Sequence, residues 1–168
     1  IDGRYMENRD DLVNNTIPQL LRWRVQQSGD KVALREKDFG RWNTFTWKDY
    51  YDHVRKSGLG LAQLGLEKGD RIALIGDNIP ELLFVAVGAQ AAGAISAGLY
   101  QSSLPKEIAG ILNYLGVSFV FCDDQEQVDK LIEIRKEIPQ VRQVIFEDPR
   151  GMRSYRSDDW FMSIDELY

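Results

Sequence analysis

The chain has 168 residues, 43% apolar and 28% charged, with a net charge of −5, one cysteine and one histidine. This is the balance of an ordinary soluble globular domain. It excludes a nucleic-acid surface, which needs clustered Lys and Arg to release counterions, because the 21 basic residues are scattered among 26 acidic ones. The longest apolar stretch, 82–100, is interrupted by glycines, Gln90 and Ser96, so it falls short of the roughly 20 residues that span a bilayer. Cys122 can form no intrachain disulfide and follows the apolar run 117–121, where a buried thiol is expected. Residues 1–15 carry no apolar signal-type core and read as an extension within a longer chain.

In chain order, Thr16, Pro18 and Gln19 have capping-box chemistry and predict a helix over 17–27, ended by Ser28 and Gly29. Runs 31–37 and 42–45 are rich in β-formers and flank the turn residues Asp38, Phe39 and Gly40, which predicts an antiparallel hairpin. Thr46 then caps a helix whose apolar positions Trp47, Tyr50, Tyr51, Val54, Gly58, Leu61 and Ala62 make one face, with Gly65 as its stop. From Arg71 the pattern alternates: strand 71–75, helix 80–92, strand 94–99, helix 104–115, strand 118–122, helix 125–137, strand 142–146. Such alternation with short loops implies parallel strands joined by crossovers, and their continuous apolar runs imply helices on both faces. Residues 148–159 read as a polar loop and 163–168 as the opening of a further helix. The fold class is α/β, a mainly parallel sheet flanked by helices with an N-terminal helix and β-hairpin. Residues 16–168 divide into 16–70, 71–148 and 149–168.

Parallel sheets bind ligands at the carboxyl ends of their strands, so the loops 76–79, 100–103, 123–125 and 147–151 are the candidates. The first holds Gly76, Asp77 and Asn78 but lacks the G-x-G-x-x-G spacing that lets backbone approach a pyrophosphate. Asp77 or Asn78 is then expected to cap the next helix. In the second, Tyr100, Gln101, Ser102 and Ser103 could meet an anion, or Ser103 could simply cap the helix that starts at Pro105. His53 has no nucleophile or metal ligand at useful spacing and is expected at the surface or half-buried. Asp123, Asp124 and Glu126 suit the positive end of a helix better than a catalytic carboxylate pair. Asp158, Asp159, Asp165 and Glu166 are expected on a solvated face or loop. Trp23, Trp42, Trp47 and Trp160 are expected to pack. No catalytic constellation is visible.

Residues 44–103 nevertheless carry an ordered set of short motifs: T-W-K-D-Y at 46–50, G-L-E-K-G-D-R-I at 65–72, N-I-P-E at 78–81 and G-A-I at 93–95. In that order they resemble the adenylate-forming superfamily. The stretches A-G-L-Y-Q-S-S at 97–103, F-C-D-D-Q-E-Q from 121 and S-I-D-E-L-Y at 163–168 are most similar to bacterial long-chain fatty-acyl-CoA synthetases. The resemblance implies the first part of the large N-terminal domain of such an enzyme. The parent would use ATP, Mg and CoA to convert a long-chain fatty acid to its acyl-adenylate and then to the thioester. The family's phosphate loop, T-S-G-T-T-G-x-P-K-G, does not occur here, and no family catalytic residue maps onto the chain. The resemblance therefore implies an inactive fragment with none of these ligands bound. It puts Gln101, Ser102 and Ser103 at the CoA entrance. Partners implied are the remainder of the same polypeptide, fatty acid and CoA, with a cytoplasmic location and at most peripheral contact with the inner membrane. An exposed sheet edge and self-association are expected. The alternative is a stand-alone flavodoxin-like nucleotide-binding or regulatory module.

Overall fold

The computed structural model describes residues 15–155 and 157–168, so the expected extension over 1–15 lies, apart from Asn15, outside the described residues. The chain divides into two compact units between Tyr51 and Asp52.

In the first unit, helix α1 (Ile17–Ser28) follows Thr16, whose N–H and hydroxyl both donate to Gln19 Oε1, at 2.7 and 2.9 Å. Strands β1 (Val32–Asp38) and β2 (Arg41–Thr46) pair antiparallel in register Asp38↔Arg41. The two-residue turn between them, Phe39 and Gly40, has φ of 44° and 80°. Paired positive φ values match the right-handed twist of the strands. Helix α2 (Trp47–Gln63) opens where Asp49 Oδ2 accepts from the Thr46 N–H at 2.8 Å and the Asp49 N–H returns to Thr46 Oγ1 at 3.1 Å. Trp42 is 65% exposed, a departure from the expected packing, because it stands on a two-stranded ribbon.

The second unit, Asp52–Tyr168, is the α/β body. Its elements are β3 (Arg71–Ile75), α3 (Pro80–Ala91), β4 (Ile95–Leu99), α4 (Pro105–Leu115), β5 (Phe119–Cys122), α5 (Gln125–Glu133), β6 (Gln143–Phe146), β7 (Phe161–Ser163) and α6 (Ile164–Leu167). The five strands are parallel in the order β4-β3-β5-β6-β7. Side chains alternate between two cores as the pleat requires. Ile72, Leu74, Phe119, Phe121 and Ile145 pack with α2, α3 and α6. Ala73, Ile75, Val120, Cys122 and Val144 pack with α4 and α5. Cys122 is fully buried, as expected.

Three expectations about elements are corrected. Helix 125–137 breaks at Ile134 and resumes as a 3-10 turn, Arg135–Glu137. Pro139 cannot extend a helix and disfavours helical geometry at Ile138, while both Ile134 and Ile138 are pulled into the core at 1% exposure. The loop 148–159 contains a 3-10 turn, Met152–Tyr155, whose Met152 is buried. A fifth strand, β7, was not expected; it is three residues long and is recruited by pairing with β6.

Helices α2 and α3 cross at glycines. A Cβ on Gly88 would lie 2.8 Å from the Gly58 nitrogen and 2.7 Å from Ser57 Cβ, so only hydrogen fits there. At the amino-end side of the sheet, Arg142 binds Asp70 at 2.6 Å, donates to the Gly65 carbonyl at 3.1 Å and lies over the Phe119 ring. Strand β4 borders the sheet, with Ile95 57% exposed.

Candidate functional site: the cleft at the carboxyl ends of β3 and β4

After β3 the chain moves to β4 on one side and then to β5 on the other, so the loops after β3 and β5 leave the sheet in opposite directions. A crevice forms at such a switch point. On the other side of β3, between the ends of β3 and β4, a cleft of about 470 Å³ is lined by apolar Leu74 and Leu82, polar Asp77, Asn78 and Gln101, and Tyr100. Gly98, also in its wall, has open space where a side chain would stand.

The loops around the cleft are cross-linked. Asp123, at the end of β5, is 9% exposed and accepts the Asp77 N–H on Oδ2 at 2.8 Å. Its carboxyl group sits against Gly76 so closely that a Cβ there would lie 2.5 Å from Asp123 Cγ. Asp77 Oδ1 in turn accepts from Gln101 Nε2 at 2.7 Å, and the Gln101 carbonyl accepts from Lys130 Nζ at 2.5 Å. Lys130 also reaches Gln127 Oε1 at 3.2 Å and Glu126 Oε1 at 2.8 Å.

Asp77, Asn78 and Gln101 thus line the cleft. Ser102 is exposed and Ser103 half-buried; the Ser103 N–H closes a turn on the Tyr100 carbonyl at 3.0 Å. Ser103 does not cap α4. The cap position is Leu104, whose N–H donates to Glu107 Oε2 at 2.9 Å. Neither Asp77 nor Asn78 caps α3, where Ile79 holds that position, because Asp77 is turned to Gln101. Asp124 does cap α5, accepting the Gln127 N–H at 3.2 Å. The role of Asp123 was not legible beyond the favourable helix end. Its only signal is an acid ending a wholly apolar strand, beside whatever the neighbouring strand presents.

The remaining candidates are structural. His53 is half-buried, stacked on Phe84 at 4.6 Å. Trp160 is buried, with Nε1 donating to the Val141 carbonyl at 2.9 Å and Arg135 over its ring. Asp158 is ion-paired with Arg135, which holds its carboxyl below the usual range. Asp165 and Glu166 lie in the first turn of α6, where Ser163 N–H donates to Glu166 Oε2 at 2.8 Å. A second hollow of about 310 Å³ at the ends of β6 and β7 is lined by Phe146, Met152, Tyr155 and Phe161 among others, and Tyr155 is tied by its hydroxyl to Asp129 Oδ1 at 2.7 Å. Among the described residues no group of three or more His, Cys, Asp or Glu could hold a metal ion. No helix among them is long and apolar enough to cross a membrane.

Burial pushes the Asp123 carboxyl up from its ordinary value of 3.8, the charge of Asp124 adds to this, and the Asp77 N–H opposes it. A carboxyl with a raised folded-state pKa favours the fold when protonated, and this contribution is lost as pH rises from the unfolded-state value through the folded-state one. Asp123→Asn keeps an acceptor for Asp77 but cannot ionise. Its stability relative to the parent is expected to improve on going from pH 3 to pH 7, measured by urea denaturation at each pH. A flat difference would mean that Asp123 is not held in a penalising environment.

The cleft suits neutral hydrogen-bonding groups more than phosphates. Lys130 is committed to Gln101, Gln127 and Glu126, and Asp77 places an acid at the lining. ATP phosphates would find no compensating charge from these groups.

A family model described as AMP-binding enzyme matches residues 21–163. The chain belongs to the AMP-binding enzyme family. A long-chain-fatty-acid–CoA ligase of Bos taurus, ACSBG1, is 31% identical over 147 residues, 86% of this chain and 20% of that protein. The chain thus spans about a fifth of the length of this curated relative. Among solved structures, an acyl-CoA synthetase of Brucella canis superposes with TM-score 0.64 at 27% identity, covering 73% of this chain and 22% of the other. The acetoacetyl-CoA synthetase of Streptomyces lividans gives TM-score 0.79 at 19% identity, over 89% and 24%. The strand order alone is that of flavodoxin-like sheets, but for an AMP-binding enzyme chain the stand-alone flavodoxin-like module is not favoured.

Proposed function

We propose that this chain is the N-terminal portion of an AMP-forming ligase that activates long-chain fatty acids with ATP and passes the acyl group to CoA, and that it does not catalyse adenylation by itself. The observation carrying the reading is the family match over 21–163 together with relatives described as long-chain-fatty-acid–CoA ligases. In this reading Mg accompanies ATP as substrate, and both are bound by the remainder of the polypeptide. Adenylation develops negative charge on the phosphates, which needs preorganised donors or cations, and Lys130, which reaches the cleft's Gln101, is already paired with Glu126. The residues Gln101, Ser102 and Ser103 would stand at the CoA entrance, offering an amide and two hydroxyls to the polar arm of CoA. Peripheral membrane contact, a cytoplasmic location and self-association of the isolated chain belong to the same reading.

The test is isothermal titration of the 168-residue chain with ATP·Mg and separately with CoA, beside pyrophosphate release with palmitate. The expected results are no ATP binding, no CoA binding and no pyrophosphate from this chain, with pyrophosphate released by the full-length protein. Turnover by the chain alone would overturn the division of labour. A full-length protein inert towards every long-chain fatty acid would overturn the substrate class.

A further inference from the structure

This inference rests on the reading of residues 100–103 as the CoA entrance. We propose that Lys130 is a positioning residue for that loop: with Asp77 it clamps Gln101 from two sides, so that Ser102 and Ser103 are preset before a ligand arrives.

Three elements meet at Gln101. Its carbonyl is held by Lys130 from α5 at 2.5 Å, and its side-chain amide by Asp77 from the loop after β3 at 2.7 Å. Asp77 is itself fixed through its N–H by the buried Asp123 at the end of β5. The loop after β4 is therefore bonded to the loop after β3 and to helix α5. A simpler account makes Lys130 the partner of Glu126 in an ordinary i, i+4 pair. That account leaves two facts aside. The Lys130 side chain is 17% exposed against 69% for Glu126, and besides Gln127 Oε1 on its own helix it donates to the Gln101 carbonyl on another element. An exposed helix pair does not need to be drawn in this way. The acceptor on the loop is a main-chain carbonyl, so no change at position 101 can replace the bond and the donor must come from Lys130. An ordered loop loses less conformational entropy on binding, and holding it ready raises affinity without any new contact.

Lys130→Met removes the donor while keeping the aliphatic stem, and Lys130→Arg keeps a donor. Two readouts separate the clamp from the CoA reading. The first is hydrogen exchange of the Ser103 amide in the 168-residue chain, since that N–H closes the turn on Tyr100. It is expected to accelerate about tenfold in Lys130→Met and to return most of the way in Lys130→Arg. The second is steady-state kinetics of the full-length ligase. There Lys130→Met is expected to raise KM for CoA about tenfold, leave KM for ATP and the rate of ATP–pyrophosphate exchange unchanged, and be rescued by Lys130→Arg. Unchanged Ser103 exchange overturns the clamp whatever the kinetics do. Faster exchange with an unchanged KM for CoA overturns the functional role and locates the error in the CoA reading, because the loop would then be clamped but not used. A uniform loss across ATP and CoA parameters overturns it in favour of a purely structural bond.

Discussion

Gly88→Ala is expected to destabilise the α/β body by about 3 kcal/mol, the upper range for forcing atoms into a packed interior. The added Cβ would stand 2.7 Å from Ser57 Cβ and 2.8 Å from both the Gly58 nitrogen and the Val54 carbonyl oxygen. Two of those three atoms are backbone of α2, so no rotamer change relieves the contact and the helices must move apart. Separation would draw Leu61 of α2 and Val85 and Ala89 of α3, all fully buried, out of one shared core. The measurement is urea denaturation, read as a fall in midpoint at unchanged m. Gly110→Ala is the control: it lies on an exposed part of α4 with nothing within 4 Å of an added Cβ, and should gain about 0.5–1 kcal/mol from helix propensity. A Gly88→Ala protein as stable as its parent would mean that α2 and α3 do not cross at this point.

Phe121→Ala is expected to cost about 3–5 kcal/mol, the range for emptying a buried aromatic site. Phe121 has no exposure and sits on β5 in register with Leu74 of β3 and Ile145 of β6. Strands on both sides fix the backbone, and Leu74 and Ile145 belong to the same core, so the cavity left behind has little means of collapse. Against a typical domain stability of about 5–15 kcal/mol, most of the folded margin would go. Phe39→Ala provides the contrast, since Phe39 is 85% exposed at the hairpin tip and a surface change should stay within about 0.5 kcal/mol. Equal losses at the two positions, read by thermal denaturation, would contradict the burial assignment.

Both effects belong to contacts between elements, and that is where sequence reading and structure part. The existence and type of most elements were legible because each depends on local chemistry. Strand β3 runs over Arg71–Ile75 as expected, since an apolar run bounded by Gly69, Asp70 and Gly76 has few other uses. Helix α2 follows Thr46 because hydroxyl capping and an apolar face with a 3.6-residue period both lie within one segment. The break at Ile134 was hidden because most residues from Gln125 to Glu137 are good helix formers; burial of Ile134 and Ile138 and the following proline outweighed them. Strand β7 carried too short a signal to stand out, and exists as a strand only through β6.

At the cleft, the loops were legible but the bonds between them were not. That ligands of a parallel sheet meet the carboxyl strand ends pointed to Asp77 and Gln101 at once. Expecting Asp77 or Asn78 to cap α3, and Ser103 to cap α4, applied a sound local preference, which tertiary partners overrode: Asp77 bonds Gln101, 24 residues away, and Glu107 serves the N–H of Leu104. Lys130 was unremarkable in sequence because its acceptor is a backbone carbonyl 29 residues distant.

By itself, then, the sequence determined the alternation of strands and helices, the covering of the sheet on both faces and, through the order of its motifs, the family. Each is written in residues close together along the chain, where propensity, period and capping act. Tertiary structure alone decided that β5 lies beside β3 and not beside β4, that Gly76 yields its space to Asp123, and that the loop after β3 and helix α5 both bond Gln101. Those outcomes depend on which strands pair and how closely helices approach, and residues 20 to 50 apart meet only once the whole sheet has assembled.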